Sequence, residues 1–151
     1  MGLQDTVMAE MKAAMKSKDK VALEALRAIK AAILVAQTES GAKAELDEGE
    51  EVKLIQKMVK QRKDSAKLYQ EQGRNDLAEP ELEQVAVIEK FLPEQLGEEE
   101  LKSIITQIVE KTGATSMKDM GKVMGAANQQ LSGKAEGRLI STIVKEILGA
   151  L

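Results

Sequence analysis

The sequence contains no histidine and no cysteine, which excludes several kinds of active site at once. Without histidine there can be no Ser-His-Asp triad, no Cys-His pair and no zinc site with an imidazole ligand. Without cysteine there is no disulfide and no thiolate nucleophile, which fits a reducing compartment. We therefore predict no catalytic residue, no metal site and no cofactor.

Aromatic residues and long apolar runs are also scarce. Tyr69 and Phe91 are the two aromatic residues, so the sequence offers no aromatic platform on which unpaired bases could stack. The longest apolar run, residues 31–36, is far shorter than the roughly 20 residues of a membrane span. The N-terminus has neither a basic segment followed by an apolar one nor a small-residue cleavage site. These absences predict a cytoplasmic protein that does not associate with membranes.

The residues that are abundant, namely Ala, Leu, Glu, Lys and Gln, are typical of an all-helical protein. Apolar residues recur every three or four positions, which predicts four helices near residues 3–15, 22–36, 50–72 and 75–92. Pro80 falls about one turn into the fourth helix and predicts a kink or a delayed start, because proline lacks a backbone donor. The acidic stretch 41–51 has no periodicity and is interpreted as an exposed loop.

The clearest boundary in the chain is at Pro93, because a proline disfavours helical geometry at the residue before it. We predict an all-α fold in which residues 1–92 form an antiparallel bundle of about four helices. Residues 93–97 would be a linker, and residues 98–151 a tail domain of three helices. Within the tail, Ser116 and Asp119 have the spacing of a capping box.

Gly121 and Gly125 are unusual because they stand one turn apart inside a predicted helix, where each costs about 1 kcal/mol relative to alanine. Close packing of a neighbouring tail helix is the simpler explanation. A face for a protein partner, shared with Met124, is the alternative. The methionines at positions 8, 11, 15, 117, 120 and 124 have helical spacing, which is more typical of core than of an adaptable binding surface.

The formal net charge of −3 gives no overall attraction to nucleic acid, but the C-terminal region is locally basic. Lys122, Lys134 and Arg138, together with backbone donors around Gly133, would suit contact with RNA phosphates. The residues around Gly133 lack the first glycine and the Ser/Thr of a nucleotide-binding P-loop. A secondary basic face is formed by Lys60, Arg62 and Lys63. The alternative interpretation is that these cations are ordinary solvated surface.

Several segments resemble one protein family. Residues 119–148 resemble the C-terminal tail domain of the B subunit of glutamine-dependent aspartyl/glutamyl-tRNA amidotransferase. The matching elements are residues 121–124, residues 133–135 and the last amphipathic segment, residues 139–148. The N-terminal part is similar to the free-standing members of that family, the YqeY-like proteins, in residues 26–30, 60–65, 73–78 and 91–96.

This resemblance implies a helical protein in two parts that works with tRNA. In the amidotransferase the tail domain helps to hold tRNA, while other domains and another subunit transfer the amide. The resemblance therefore implies a non-catalytic accessory module that binds tRNA, or a protein of the tRNA-charging machinery, through Lys122, Gly133, Lys134 and Arg138. A family-level label of carbon–nitrogen ligase with glutamine as amide donor would describe the complex. The alternative is a protein-interaction adaptor that uses the Gly121/Gly125 face.

Overall fold

A computed structural model describes residues 2–39 and 45–151, and within these ranges the regular structure is entirely helical. The all-α prediction is thus confirmed. None of the described helices is both long and apolar enough to cross a membrane. The helices are α1 (Leu3–Ser17), α2 (Lys20–Glu39), α3 (Glu48–Glu71), α4 (Asn75–Ile88), α5 (Glu98–Thr112), α6 (Met120–Leu131) and α7 (Gly137–Gly149), with single 3₁₀ turns at Glu89–Phe91 and Met117–Asp119.

α3 starts two residues earlier than the sequence predicted, within the run of acidic residues. The side chain of Asp47 accepts a hydrogen bond from the backbone N–H of Glu50, at 2.8 Å, and the Glu50 carboxylate accepts one from the N–H of Asp47, at 3.0 Å. This capping box, with the favourable interaction of acids and a helix N-terminus, starts α3 at Glu48. The acids that were interpreted as loop through residue 51 therefore belong partly to the helix. Residues 40–44 of that predicted loop lie outside the described residues.

The fourth helix starts before Pro80 and continues through it. Because α4 begins at Asn75, Pro80 lies inside the helix, and the prediction of a later start is wrong. The helix ends at Ile88, and the following 3₁₀ turn leads to Leu92, whose backbone is extended (φ −85°, ψ 154°). That conformation is the one expected of a residue before proline.

The chain separates into two compact units, one ending at Leu92 and the other beginning at Pro93. Each unit has its own apolar core, and burial of these side chains is the main force that holds the helices together. In the first unit the core comprises Leu3, Val7, Ala14, Ala25, Leu26, Ile29, Ile33, Ile55, Met58, Val59, Val85 and Ile88. In the second it comprises Leu101, Ile105, Ile108, Val109, Val123, Ala127, Leu131, Ala135, Ile140, Ile143, Val144 and Leu148.

The methionines are less buried than their spacing predicts. Met8, Met15 and Met117 are 43%, 53% and 46% exposed, so the prediction that they are core residues is wrong. α1 buries the face that carries Leu3, Val7 and Ala14, and this leaves Met8 and Met15 on the solvent side. The other three predicted core methionines, at positions 11, 120 and 124, are partly buried against the cores of their units.

Candidate nucleic-acid interface

The turn between α6 and α7 presents one of the predicted RNA contacts to solvent. Gly133 has φ +77°, a left-handed conformation that glycine adopts without strain. The N–H of Lys134 donates to the carbonyl oxygen of Leu131 at 3.0 Å, which closes the turn. Burial alternates along this turn: Gly133 and Ala135 are buried, whereas Lys134 between them is exposed. The geometry therefore holds the backbone inward and leaves the lysine side chain outside.

This turn is held in place by the segment that follows Pro93. The Gln95 side-chain amide donates to the carbonyl oxygens of Gly133, at 2.8 Å, and Pro93, at 2.7 Å. The N–H of Leu96 donates to the carbonyl oxygen of Lys134 at 3.0 Å. The predicted linker is thus bonded to the second unit. Sequence reasoning did not single out Gln95, because only its place in the matching segment 91–96 distinguished it from other glutamines.

The first turn of α7 lies directly after Lys134 and Ala135. The first N–H groups of a helix have no acceptor within the helix, and they carry its partial positive charge. The side chain of Glu136, the N-cap residue, forms no capping hydrogen bond with them. Arg138 is exposed in this turn, and within the described ranges no ion pair involves Arg138 or Lys134. Two cations and a set of backbone donors therefore share one end of α7.

Lys122 has a different environment from the other predicted RNA contacts. Its ammonium group donates to the carbonyl oxygen of Thr112 at 2.9 Å, where it caps the C-terminal end of α5. Backbone N–H groups of Thr115 and Ser116 lower the pKa of Asp119, and the nearby charge of Lys122 lowers this pKa further. Lys122 is also nine residues from the end of α6, or about 14 Å along its axis. The structure therefore does not place Lys122 in one cluster with Lys134.

The glycine pair of α6 is open to solvent. Gly121 and Gly125 are both exposed, and no atom lies within 4 Å of the position that an added Cβ would take at either residue. The expected close packing of a tail helix against this pair is thus not found in the described residues. Met124 is half-buried and packs against the core of the second unit. The two glycines therefore leave the backbone of α6 exposed to solvent on one face, next to the half-buried Met124.

The three residues of the secondary basic face, Lys60, Arg62 and Lys63, differ in whether they contact a neighbouring element. The Arg62 Nε donates to the side-chain oxygen of Gln84 at 2.9 Å. The Lys63 Nζ lies 2.9 Å from a carboxylate oxygen of Glu89, with both side chains partly exposed. These two residues tie α3 to the end of α4, whereas Lys60 is exposed and makes no such bond within the described residues.

A cleft of about 410 Å³ in the first unit is lined by residues that sequence analysis did not select. Its charged and aromatic lining residues are Glu10, Asp19, Lys90 and Phe91, and alanines form much of the remainder. None of the predicted contact residues lines it. In the part of the chain that the structure describes, no three acidic side chains are grouped so as to hold a metal ion.

The fold and the candidate surface define an all-helical protein whose proposed contact residues are basic and exposed. The chain belongs to the YqeY-like family, because the family model described as "Yqey-like protein" matches residues 4–148. This confirms the family inferred from the sequence segments.

Fungal relatives are similar over most of the chain. The protein "Altered inheritance of mitochondria protein 41, mitochondrial" of Pyrenophora tritici-repentis is 31% identical over 147 residues, covering 95% of this chain and 80% of the relative. The protein of the same name from Clavispora lusitaniae is 32% identical over 133 residues, covering 86% of this chain and 74% of the relative. A third, from Meyerozyma guilliermondii, is 29% identical over 155 residues, covering 96% and 79%.

The expected cytoplasmic location is contradicted by these relatives, each of which is named as a mitochondrial protein. The physical reason for the error lies in the argument from cysteine. A lack of cysteine indicates that the fold needs no oxidising compartment, but it does not distinguish one reducing compartment from another.

Proposed function

We propose that this chain is a non-catalytic accessory protein that binds tRNA, with its contacts at the N-terminal end of α7. The single observation that carries the proposal is the arrangement there. Lys134 and Arg138 are exposed without an intramolecular ion pair in the described residues, next to the first N–H groups of α7, to which the N-cap residue Glu136 gives no side-chain hydrogen bond. Such an arrangement favours phosphate, because backbone donors and cations act on the same anion.

The rigid backbone at this turn supports the same proposal. Gln95 and Leu96 donate hydrogen bonds to the carbonyl groups of Gly133 and Lys134. Because these bonds already hold the backbone of the turn, little further conformational entropy is lost when a ligand binds. Lys122, which was expected to contribute, donates to the carbonyl oxygen of Thr112 at the end of α5, and we leave it out of the proposed contact set. The proposed contact set is therefore Lys134, Arg138 and the first N–H groups of α7, with Gly133 shaping the turn.

The wider organisation follows from the family resemblance. We propose that residues 1–92 act as an antiparallel bundle and residues 98–151 as the RNA-binding tail, joined through 93–97. Amide transfer would be performed by other proteins, and a ligase label would describe their complex. The absence of histidine and cysteine from the chain supports a binding role, since the commonest general base and the commonest thiol nucleophile are both missing.

An electrophoretic shift with total tRNA at about 50 and 200 mM salt tests this proposal. The test variant is Lys134→Ala with Arg138→Ala. Loss of two phosphate contacts should reduce the slope of log affinity against log salt by about 1.8 in magnitude. Lys122→Ala is the matched control, because it removes an exposed lysine of the same unit that is bonded elsewhere. Unchanged affinity and slope in the double variant would refute the contact assignment.

The open glycine pair favours a second candidate, a protein-interaction adaptor. Glycine at positions 121 and 125 makes α6 less stable than alanine would. In the described residues no atom lies within 4 Å of the position that an added Cβ would take at either glycine. A partner helix from the tRNA-charging machinery could approach the backbone closely there. This candidate predicts binding that is insensitive to salt, lost in Gly125→Leu and less affected by the smaller change Gly125→Ala. Equal binding of a purified partner by the wild type and the Gly125→Leu variant would exclude this face.

A further inference from the structure

α3 carries a row of exposed lysines, Lys53, Lys57, Lys60 and Lys67, which we name the α3 lysine stripe. At 100° per residue these four positions fall within an arc of about 80° on the helix. The row is about 21 Å long, from a rise of about 1.5 Å per residue. α3 as a whole has six basic and five acidic side chains, and between residues 52 and 70 the one acid is Asp64, which lies on the same arc as the lysines. The middle of α3 is therefore locally positive on a protein whose net charge is negative.

The stripe is not neutralised within the described part of the chain. The ion pairs found there use Lys63, Arg74 and Lys102, and none uses a lysine of the stripe. Lys53 and Lys57 are four residues apart, and Lys57 and Lys60 are three apart, so each pair brings like charges together on the helix surface. Such pairs destabilise a helix. Asp64, which is four residues from Lys60 and three from Lys67, offsets part of this repulsion, and an external anion would relieve the remainder.

The surroundings of the stripe indicate which anion fits. The apolar face of α3, with Ile55, Met58 and Val59, is buried in the core, so the helix has no apolar face to insert into a bilayer. Gln61 and Asp64 lie among the stripe lysines, and both are exposed and polar. Protein interfaces normally have an apolar or aromatic centre. The exposed residues among Lys53, Lys57 and Lys60 are polar, and Leu68, which is 54% exposed, lies at the Lys67 end of the stripe.

A nucleic-acid duplex matches the stripe in shape and charge. A duplex has one negative charge per about 1.7 Å of its axis, so about 12 phosphates lie along a length of about 21 Å. We propose that the α3 lysine stripe binds the phosphate backbone of a nucleic-acid duplex without reading its sequence. This inference depends on α3 alone, and it holds whether or not the α7 end binds tRNA.

Fluorescence anisotropy of the full-length protein with a labelled 24-base-pair RNA duplex and the corresponding DNA duplex tests the proposal. Four phosphate contacts predict a slope of about −3.6 for log affinity against log salt, which is about a 150-fold loss between 50 and 200 mM salt. The variant Lys53→Gln, Lys57→Gln, Lys60→Gln should reduce the slope to about −0.9 and the salt effect to about threefold. Both duplexes should behave alike, because only phosphates are contacted.

Two further variants separate the stripe from other causes. Lys16→Gln, Lys111→Gln, Lys145→Gln removes the same charge from three scattered, exposed lysines and should leave the slope near its wild-type value. Lys134→Ala with Arg138→Ala should also retain the duplex slope, even if it weakens tRNA binding. Circular dichroism checks that helix content is unchanged. If the triple stripe variant is less helical, Lys57→Gln alone should still reduce the slope by about 0.9.

Four results would overturn the proposal. The first is a wild-type slope in the stripe variant, and the second is an equal loss in the scattered variant, which would indicate a net-charge effect. The third is a dependence on the stripe that is found only with vesicles of anionic lipid, or only in self-association measured by sedimentation, and not with either duplex. Loss of duplex binding in the α7 variant alone would also refute the stripe while leaving the proposed tRNA contact intact.

Discussion

The substitution Gly125→Ala should stabilise this protein. Gly125 lies in the middle of α6, and no atom lies within 4 Å of the position that its Cβ would take. Alanine in an exposed helix interior is favoured over glycine by about 0.8–1 kcal/mol, because an unfolded chain with alanine at this position has fewer conformations to lose on folding than one with glycine. No clash offsets this gain. For a cooperative unit of about 60 residues, the size of the second unit, the increase in Tm would be about 4–8 °C.

Gly113→Ala is the matched control for this prediction. Gly113 is also exposed, belongs to the same unit and has no atom within 4 Å of an added Cβ. Its φ is +70°, however, because it ends α5 in the left-handed conformation. An alanine there is strained and should lower the free energy of unfolding by about 1 kcal/mol. The same chemical change should therefore have opposite signs at two open sites that differ in backbone angle.

Urea unfolding followed by circular dichroism is the appropriate assay. Tyr69 and Phe91, the two aromatic residues, both precede Pro93, so aromatic signals do not report directly on α6. Helical ellipticity reports on both units. A Gly125→Ala variant that is less stable than wild type would refute the reasoning, because it would require a close contact on the glycine face. If that loss grows with protein concentration, the contact is with another copy of the chain.

Two further predictions concern the second unit. Gln95→Glu should lower the free energy of unfolding by about 0.5–1.5 kcal/mol, because a carboxylate would face the carbonyl oxygens of Pro93 and Gly133 in place of two donors at this exposed position; equal urea midpoints for the two proteins would contradict this. Asp119→Asn should be less stable than wild type at pH 7, because the N–H of Thr115, as the main cause, lowers the pKa of the folded-state carboxyl. A lowered pKa stabilises the fold above the unfolded-state pKa of about 3.9 and ceases to do so as pH falls through the folded-state value, so the difference should shrink below about pH 4. A difference that persists unchanged at pH 2 would exclude the ionised carboxylate as its source.

Local sequence patterns were sufficient for the helical class and for several boundaries. A break between the helices near residues 3–15 and 22–36 was predicted, and Lys18 is found there in a left-handed conformation (φ 58°). Ser116 and Asp119 form the predicted capping box. Leu92 is extended before Pro93, as the proline requires. These features depend on residues within one turn of each other, so their physical causes can be read directly from neighbouring positions.

The partners of the polar side chains could not be predicted in this way. The Lys122 ammonium reaches the end of the preceding helix, and the Arg62 side chain reaches Gln84 on α4. Gln95 bonds to a turn 38 residues away in sequence. Each of these contacts depends on how two separate elements pack, which helical periodicity does not specify.

The amino-acid sequence by itself determined that the chain is helical, where most helices end, and which family it belongs to, because helix periodicity, caps and proline act over a few residues. The tertiary structure alone decided which cations are engaged and which are exposed. It paired Lys122 with the end of α5 and Lys63 with the 3₁₀ turn after α4, and it left Lys134, Arg138 and the α3 lysine stripe without ion pairs in the described residues. The physical reason is that a charged side chain is available to a ligand only when no neighbouring helix provides its partner, and this is settled by packing.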